Sequence, residues 1–164
     1  MLIEAFAPLA EEFPDWHIIL YGDGDARECL EERVKELGLE ERVLFKGVQA
    51  NIPEKIEGAS VFVLSSKQEG MPNALIEAMV LGLAVVSTDC SCGGPRDLIE
   101  PGVNGLLIPV DDTIELSRAL RQLMEDEEKR KEMSRIAMKL KHKVMPEVIN
   151  MQWESYLTKV SNRD

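Results

Sequence analysis

The chain has 164 residues, 45% of them hydrophobic, 30% charged and only 5% aromatic, with a net charge of −11 at pH 7. That length supports one domain with a proper core, packed mainly by aliphatic side chains. The acidity excludes general nucleic-acid binding, which needs basic side chains against phosphates, and no apolar run approaches a membrane-spanning length.

Met1 leads directly into an acidic stretch without the basic n-region of a signal peptide. The three cysteines, Cys29, Cys90 and Cys92, are odd in number and lack paired spacing. They argue against a disulfide framework and for a cytoplasmic chain. Cys90 and Cys92 form a C-x-C with no second ligand pair, so two half-buried loop thiols are expected there rather than a metal site.

Five short aliphatic runs follow in order: His17–Tyr21, Arg42–Phe45, Ser60–Leu64, Ala84–Ser87 and Gly105–Ile108. Each is nearly continuously apolar rather than alternating, as in parallel strands buried on both faces. Helical patterns separate them. Asp25 and Glu28 read as a capping box before Leu30, Val34 and Leu37, with Gly38 as the stop. Pro72 suits the first turn of a helix running to Gly82, and Thr113 opens another with Leu116, Leu120 and Leu123. The alternation predicts an α/β fold: a Rossmann-like three-layer αβα domain over residues 1–125, with an open parallel sheet of about five strands and helices on both faces. Residues 126–164 form a helical tail expected to pack on the same domain. Its Lys129, Arg130, Lys131, Arg135, Lys139, Lys141 and Lys143 describe either a solvated surface helix with Glu–Lys pairs, the favoured reading, or a face resting peripherally on an anionic membrane.

Ligands of open α/β sheets bind beyond the carboxyl ends of the strands. Gly22-Asp23-Gly24 follows the first strand there, where glycine permits close backbone approach, although a plain strand-to-helix turn explains it equally well. Ser65 to Glu77 carries more. Its helix is largely apolar, with Glu77 its single charge and Asn73 one turn earlier on the same face. A carboxylate buried in such a helix needs hydrogen-bond donors, and ligand hydroxyls are suitable ones. The amides from Met71 to Ala74 form the positive helix end, suited to a diphosphate, with Glu69 just outside it. Gly93-Gly94-Pro95 reads as a tight loop opening a short helix, again with free amides, and Pro101 to Gly105 as a turn.

Together these pieces resemble retaining glycosyltransferases of the GT-B fold, in the large family with an E-x7-E motif. The match is Glu69 to Glu77, supported in order and spacing by Leu2–Phe6, Tyr21–Gly24, Val43–Gly47, Gly93–Ile99 and Gly102–Pro109. The resemblance implies that Glu77 accepts hydrogen bonds from a nucleotide ribose and that Glu69, the catalytic position, faces the donor sugar and its leaving diphosphate. Gly70, Met71, Pro72 and Asn73 would place the loop and helix end at the phosphates, with Gly22 bordering the cleft and Gly47 beside the base. It implies a nucleoside diphosphate sugar as donor substrate, a glycan or lipid-linked acceptor, and neither metal nor cofactor. The E-x7-E spacing speaks against a sugar-nucleotide epimerase of the same fold.

The same resemblance implies partners that the sequence does not contain. An acceptor domain or subunit would complete the enzyme, so the chain is expected to be inactive alone; a non-catalytic sugar-nucleotide-binding module with a separate acceptor subunit is the alternative. The family's first donor-domain strand, with its phosphate-binding Arg and Lys, would lie centrally between the strands carrying Tyr21 and Leu64. Without it the sheet is expected to close by direct pairing of those strands or by homo-oligomerisation through exposed edges. Lys67 is a candidate substitute for the basic residues.

Overall fold

A computed structural model of the chain describes residues 1–91 and 93–161. Five strands are present within a residue or so of the aliphatic runs: β1 (Ile18–Leu20), β2 (Val43–Phe45), β3 (Val61–Leu64), β4 (Ala84–Thr88) and β5 (Leu106–Ile108). The helices between and after them are α1 (Leu2–Phe6), α2 (Arg27–Glu36), α3 (Ile52–Ile56), α4 (Asn73–Val80), α5 (Gly94–Leu98), α6 (Thr113–Glu125), α7 (Glu127–Ala137), α8 (Lys141–Val144) and α9 (Pro146–Ser161). The α/β class with parallel pairing is as expected.

The strands form two sheets, β1-β2 and β3-β4-β5, every ladder parallel. Direct pairing of β1 with β3, one expected route of closure, does not occur. Burial records the consequence. All five residues of β4, held between two neighbours, are buried, whereas all four of β3 are only half-buried and Ile19 in β1 is 47% exposed.

Alternation along the strands divides the core into two layers. Ala84 and Val86 of β4 face one cluster with Ile3 and Phe6 of α1, Leu116, Leu120 and Leu123 of α6, and Met133 of α7. Val85 faces the other, with Ile56 of α3, Leu75, Ala78 and Met79 of α4, and Ala137. The segment between α1 and β1 is tied down by Arg42. Its guanidinium donates to the carbonyls of Ala10 at 2.6 Å and Phe13 at 2.7 Å, and Nε to that of Trp16 at 3.1 Å.

Caps differ from expectation at one end. The Asp25–Glu28 capping box is not formed: α2 starts from Ala26 with no side-chain cap, and the local carboxylate bond is Asp23 Oδ1 accepting from the Gly24 amide. A following Glu therefore gives no capping box where the preceding Asp sits in a turn rather than at the N-cap. Asp112 does cap α6, and Asp126 caps α7. In the tail, α7 buries Met133 and Ala137 and carries Glu127–Lys131 and Glu132–Arg135 ion pairs, while α9 buries no residue. No helix among the described residues is long and apolar enough to cross a membrane.

Candidate functional site

The loops that leave the carboxyl ends of the strands carry the candidate residues. After β1 the chain turns at Gly22, whose φ of 116° only glycine adopts readily, and the Gly22 amide donates to the Gly47 carbonyl at 2.8 Å. This bond joins the first two loops. The third runs from Ser65 to Pro72. Thr88, buried at the end of β4, donates its hydroxyl to the carbonyls of Leu64 and Ser66, and Cys90 Sγ donates to the Ser66 carbonyl at 3.2 Å. The carbonyls at the start of the Glu69 loop are thus held from the neighbouring strand. Within the loop Ser66 Oγ donates to Glu69 at 2.7 Å, and Glu69 is half-buried.

The loop ends at Pro72, the N-cap of α4, and no side chain caps that helix. Its first amides lie at a positive helix end beside Glu69. Packing of Leu75, Ala78 and Met79 turns the opposite face, with Asn73, Ala74 and Glu77, outward. This corrects the expected burial of Glu77: the carboxylate is exposed. A helix this rich in apolar residues still needs only an i, i+3, i+4 stripe to meet the sheet, and the small Ala74 tolerates solvent. Glu77 is therefore marked by its position above Asn73 on the accessible face, not by desolvation.

Gly93-Gly94 does something other than offer free amides. A Cβ on Gly94 would lie 1.9 Å from the Gly70 carbonyl oxygen and 2.9 Å from Pro72 Cδ. The start of α5 is pressed against the loop between Glu69 and α4, which only glycine permits. The double glycine is legible in the sequence, but its partner 24 residues away is not. Thr88 and Arg27 likewise stand outside the motifs that the sequence singles out. The polar residue closing an otherwise apolar strand was the available signal for Thr88. The Arg27 guanidinium sits 3.7 Å from where a Gly47 Cβ would be and stacks over Phe45 at 5.7 Å.

Cations ring this edge, each held by a carboxylate. Lys67 pairs with Asp111 at 2.9 Å, Arg27 with Glu31 at 2.8 Å, and Arg96 with Asp89, whose hydrogen bond raises the Arg96 pKa further. Lys67, Arg27 and Arg96 are all substantially exposed, and such pairs contribute only about 0–1 kcal/mol, so each cation can exchange its carboxylate for another anion at little cost. Cys90 is fully buried, not half-buried as expected, and Cys92 lies outside the described residues. Glu69, Gly70, Met71, Pro72, Asn73 and Glu77 thus form one contiguous loop and helix end, Lys67 stands at its rim, and Gly22 and Gly47 meet each other on the adjoining loops.

Residues 1–140 match the model of the family described as glycosyl transferases group 1. The chain belongs to that family. It is 32% identical over 163 residues to an α-1,4-N-acetylgalactosaminyltransferase of Campylobacter jejuni that acts on an undecaprenol-linked glycan, covering 99% of this chain and 45% of that one. It is 35% identical over 127 residues to the N-acetylglucosaminyl L-malate synthase of Bacillus anthracis, covering 77% and 32%. Among solved structures, Anabaena HepE in complex with UDP superposes with a TM-score of 0.87 at 30% identity, over 96% of this chain and 44% of that one. The C-terminal domain of a group 1 glycosyltransferase of Francisella tularensis gives 0.78 at 27%, over 87% and 76%. These neighbours establish the Rossmann-like half of the GT-B architecture. The chain spans less than half the length of the curated relatives it matches.

Proposed function

We propose that this chain is the donor-binding half of a retaining glycosyltransferase, holding a nucleoside diphosphate sugar across the carboxyl edge of its strands. The observation that carries the reading is the uncapped end of α4 beside half-buried Glu69, with Glu77 one face-turn along the same helix. Solved relatives holding UDP and UDP-glucose support it. In this reading the α4 amides and the Gly70–Pro72 loop receive the diphosphate, whose charge the helix end favours. Glu77, already in solvent and free of desolvation cost, accepts the two ribose hydroxyls. Glu69, oriented by Ser66, faces the sugar as the leaving diphosphate departs. Gly22 and Gly47 let the backbone approach the nucleotide, and Lys67 supplies charge after release from Asp111. The sugar would pass to a glycan or lipid-linked acceptor held by a separate domain or subunit, so this chain binds donor without turning it over, and helix end and cations stabilise the departing diphosphate without metal or cofactor.

Calorimetric titration with UDP tests this. Binding at millimolar or tighter is expected, weakened about tenfold or more in Glu77→Ala, the loss of a paired ribose contact. Absence of binding to UDP and to the other nucleoside diphosphates, or an unchanged affinity in Glu77→Ala, would refute the assignment.

A further inference from the structure

Ser87 and Thr88, at the end of β4, are the only polar side chains buried among the described residues, each 1% exposed. A buried hydroxyl is costly unless it is hydrogen-bonded, so its partners decide its role. Ser87 Oγ donates to the neighbouring Thr88 carbonyl at 3.2 Å. Thr88 reaches instead to another segment. The β3–β4 ladder ends at Leu64 and Ser87. One step further on, the Thr88 hydroxyl meets the carbonyls of Leu64, at 3.3 Å, and of Ser66, more closely.

A hydroxyl carries one proton, and a carbonyl oxygen has two lone pairs. The Thr88 proton goes to Ser66, the nearer acceptor, and the Cys90 thiol, 3.2 Å from the same oxygen, takes the second lone pair. Thr88 Oγ1 and Cys90 Sγ also touch each other at 3.4 Å. With both lone pairs engaged, the Ser66 carbonyl cannot turn without stranding a buried hydroxyl. The side chain of the same residue donates its single proton to Glu69 Oε1 at 2.7 Å. On the far side of Glu69, the Gly70 carbonyl is packed against Gly94. Three residues of one short stretch, Thr88, Cys90 and Gly94, therefore hold Glu69 from both sides.

We propose that Thr88 is a positioning residue for Glu69: its hydroxyl, together with the Cys90 thiol, fixes the Ser66 peptide, and Ser66 presents Glu69 to the donor sugar with one carboxylate oxygen already engaged. This role rests on Glu69 facing the sugar, as proposed above. The hydroxyl of Thr88 matters here rather than its bulk, because the direction of a hydrogen bond sets the peptide plane.

The test compares calorimetric affinities of the full chain for UDP and UDP-glucose. Glu69→Gln should move the ratio of the two at least about fivefold, the worth of one neutral hydrogen bond. Thr88→Val, which keeps the shape but removes the hydroxyl, and Ser66→Ala should each move the ratio in the same direction. The two changes together should move it no further than either alone. Thr88→Ser keeps the hydroxyl and loses a buried methyl, so it should be less stable in urea yet retain the parent ratio, a separation that a purely structural role would not produce. If Glu69→Gln leaves the ratio unchanged, the reading of Glu69 fails and this role with it. If Glu69→Gln moves the ratio and Thr88→Val does not, or if Thr88→Ser loses as much as Thr88→Val, only the role of Thr88 is overturned. The NMR resonance of the Glu69 carboxyl carbon in the free chain is a second readout that needs no nucleotide. Thr88→Val and Ser66→Ala should both shift it and Thr88→Ser should not; an unmoved resonance in Thr88→Val would overturn the proposal even where neither nucleotide binds.

Discussion

Gly94→Ala isolates the contact on which the candidate site depends. The added Cβ would stand 1.9 Å from the Gly70 oxygen, whereas real Cβ contacts essentially never fall under 3.0 Å. Backbone must therefore move by at least about 1 Å, since the clashing atom is a carbonyl rather than the end of a flexible side chain. Gly70 lies between Glu69 and the first turn of α4, so the shift falls on the loop proposed to receive the diphosphate. Overpacking of this kind costs about 1–3 kcal/mol, and a displacement of about 1 Å in a positioned group lowers its performance on the order of 100-fold. Urea unfolding should show the stability loss, and calorimetry with UDP an affinity reduced at least about tenfold. Gly58→Ala is the matched control. Nothing lies within 4 Å of its Cβ and its φ is not in the left-handed region. It should be neutral or stabilise by up to about 1 kcal/mol. If Gly94→Ala binds UDP within twofold of the parent and unfolds at the same urea concentration, the packing argument is wrong.

Three further outcomes are expected. Glu77→Leu should change stability by no more than about 0.5 kcal/mol, because the carboxylate is exposed; a larger loss in urea would reveal a structural role. Thr88→Val keeps the shape but removes the buried hydroxyl that serves Leu64 and Ser66, costing about 1–3 kcal/mol, and an unchanged urea midpoint would show that Cys90 alone holds the loop. Hydrogen bonds from Arg121, Lys131 and Arg135 hold Glu12, Glu127 and Glu132 below their ordinary value of 4.5. The unfolded chain therefore takes up more protons there, and the stability these groups add above 4.5 is lost as pH falls through their lower folded values. Changing all three to Gln should flatten the decline in urea midpoint below that pH, and an unaltered slope would remove them from the acid response.

Local pattern carried most of the fold. Runs such as Ser60–Leu64 and Ala84–Ser87 became β3 and β4 because continuous aliphatic stretches of that length can hide both faces only inside a layered sheet. Gly38 stopped α2, with a φ of 66°, because its backbone freedom is a property of the residue alone. The candidate site was legible for the same reason: Glu69, the Gly70–Pro72 turn and Asn73 to Glu77 are contiguous, so strand end, loop and helix start fix their neighbourhood. What could not be read locally were relations between distant segments. The exposure of Glu77 depended on which stripe of α4 met the sheet, the need for glycine at position 94 on the approach of Gly70, and the hold on Ser66 on Thr88, 22 residues away. The largest such relation is the division of five strands into two sheets. Each strand specifies its own hydrogen-bonding edges, but whether an edge finds a partner is decided only when the chain is folded around it.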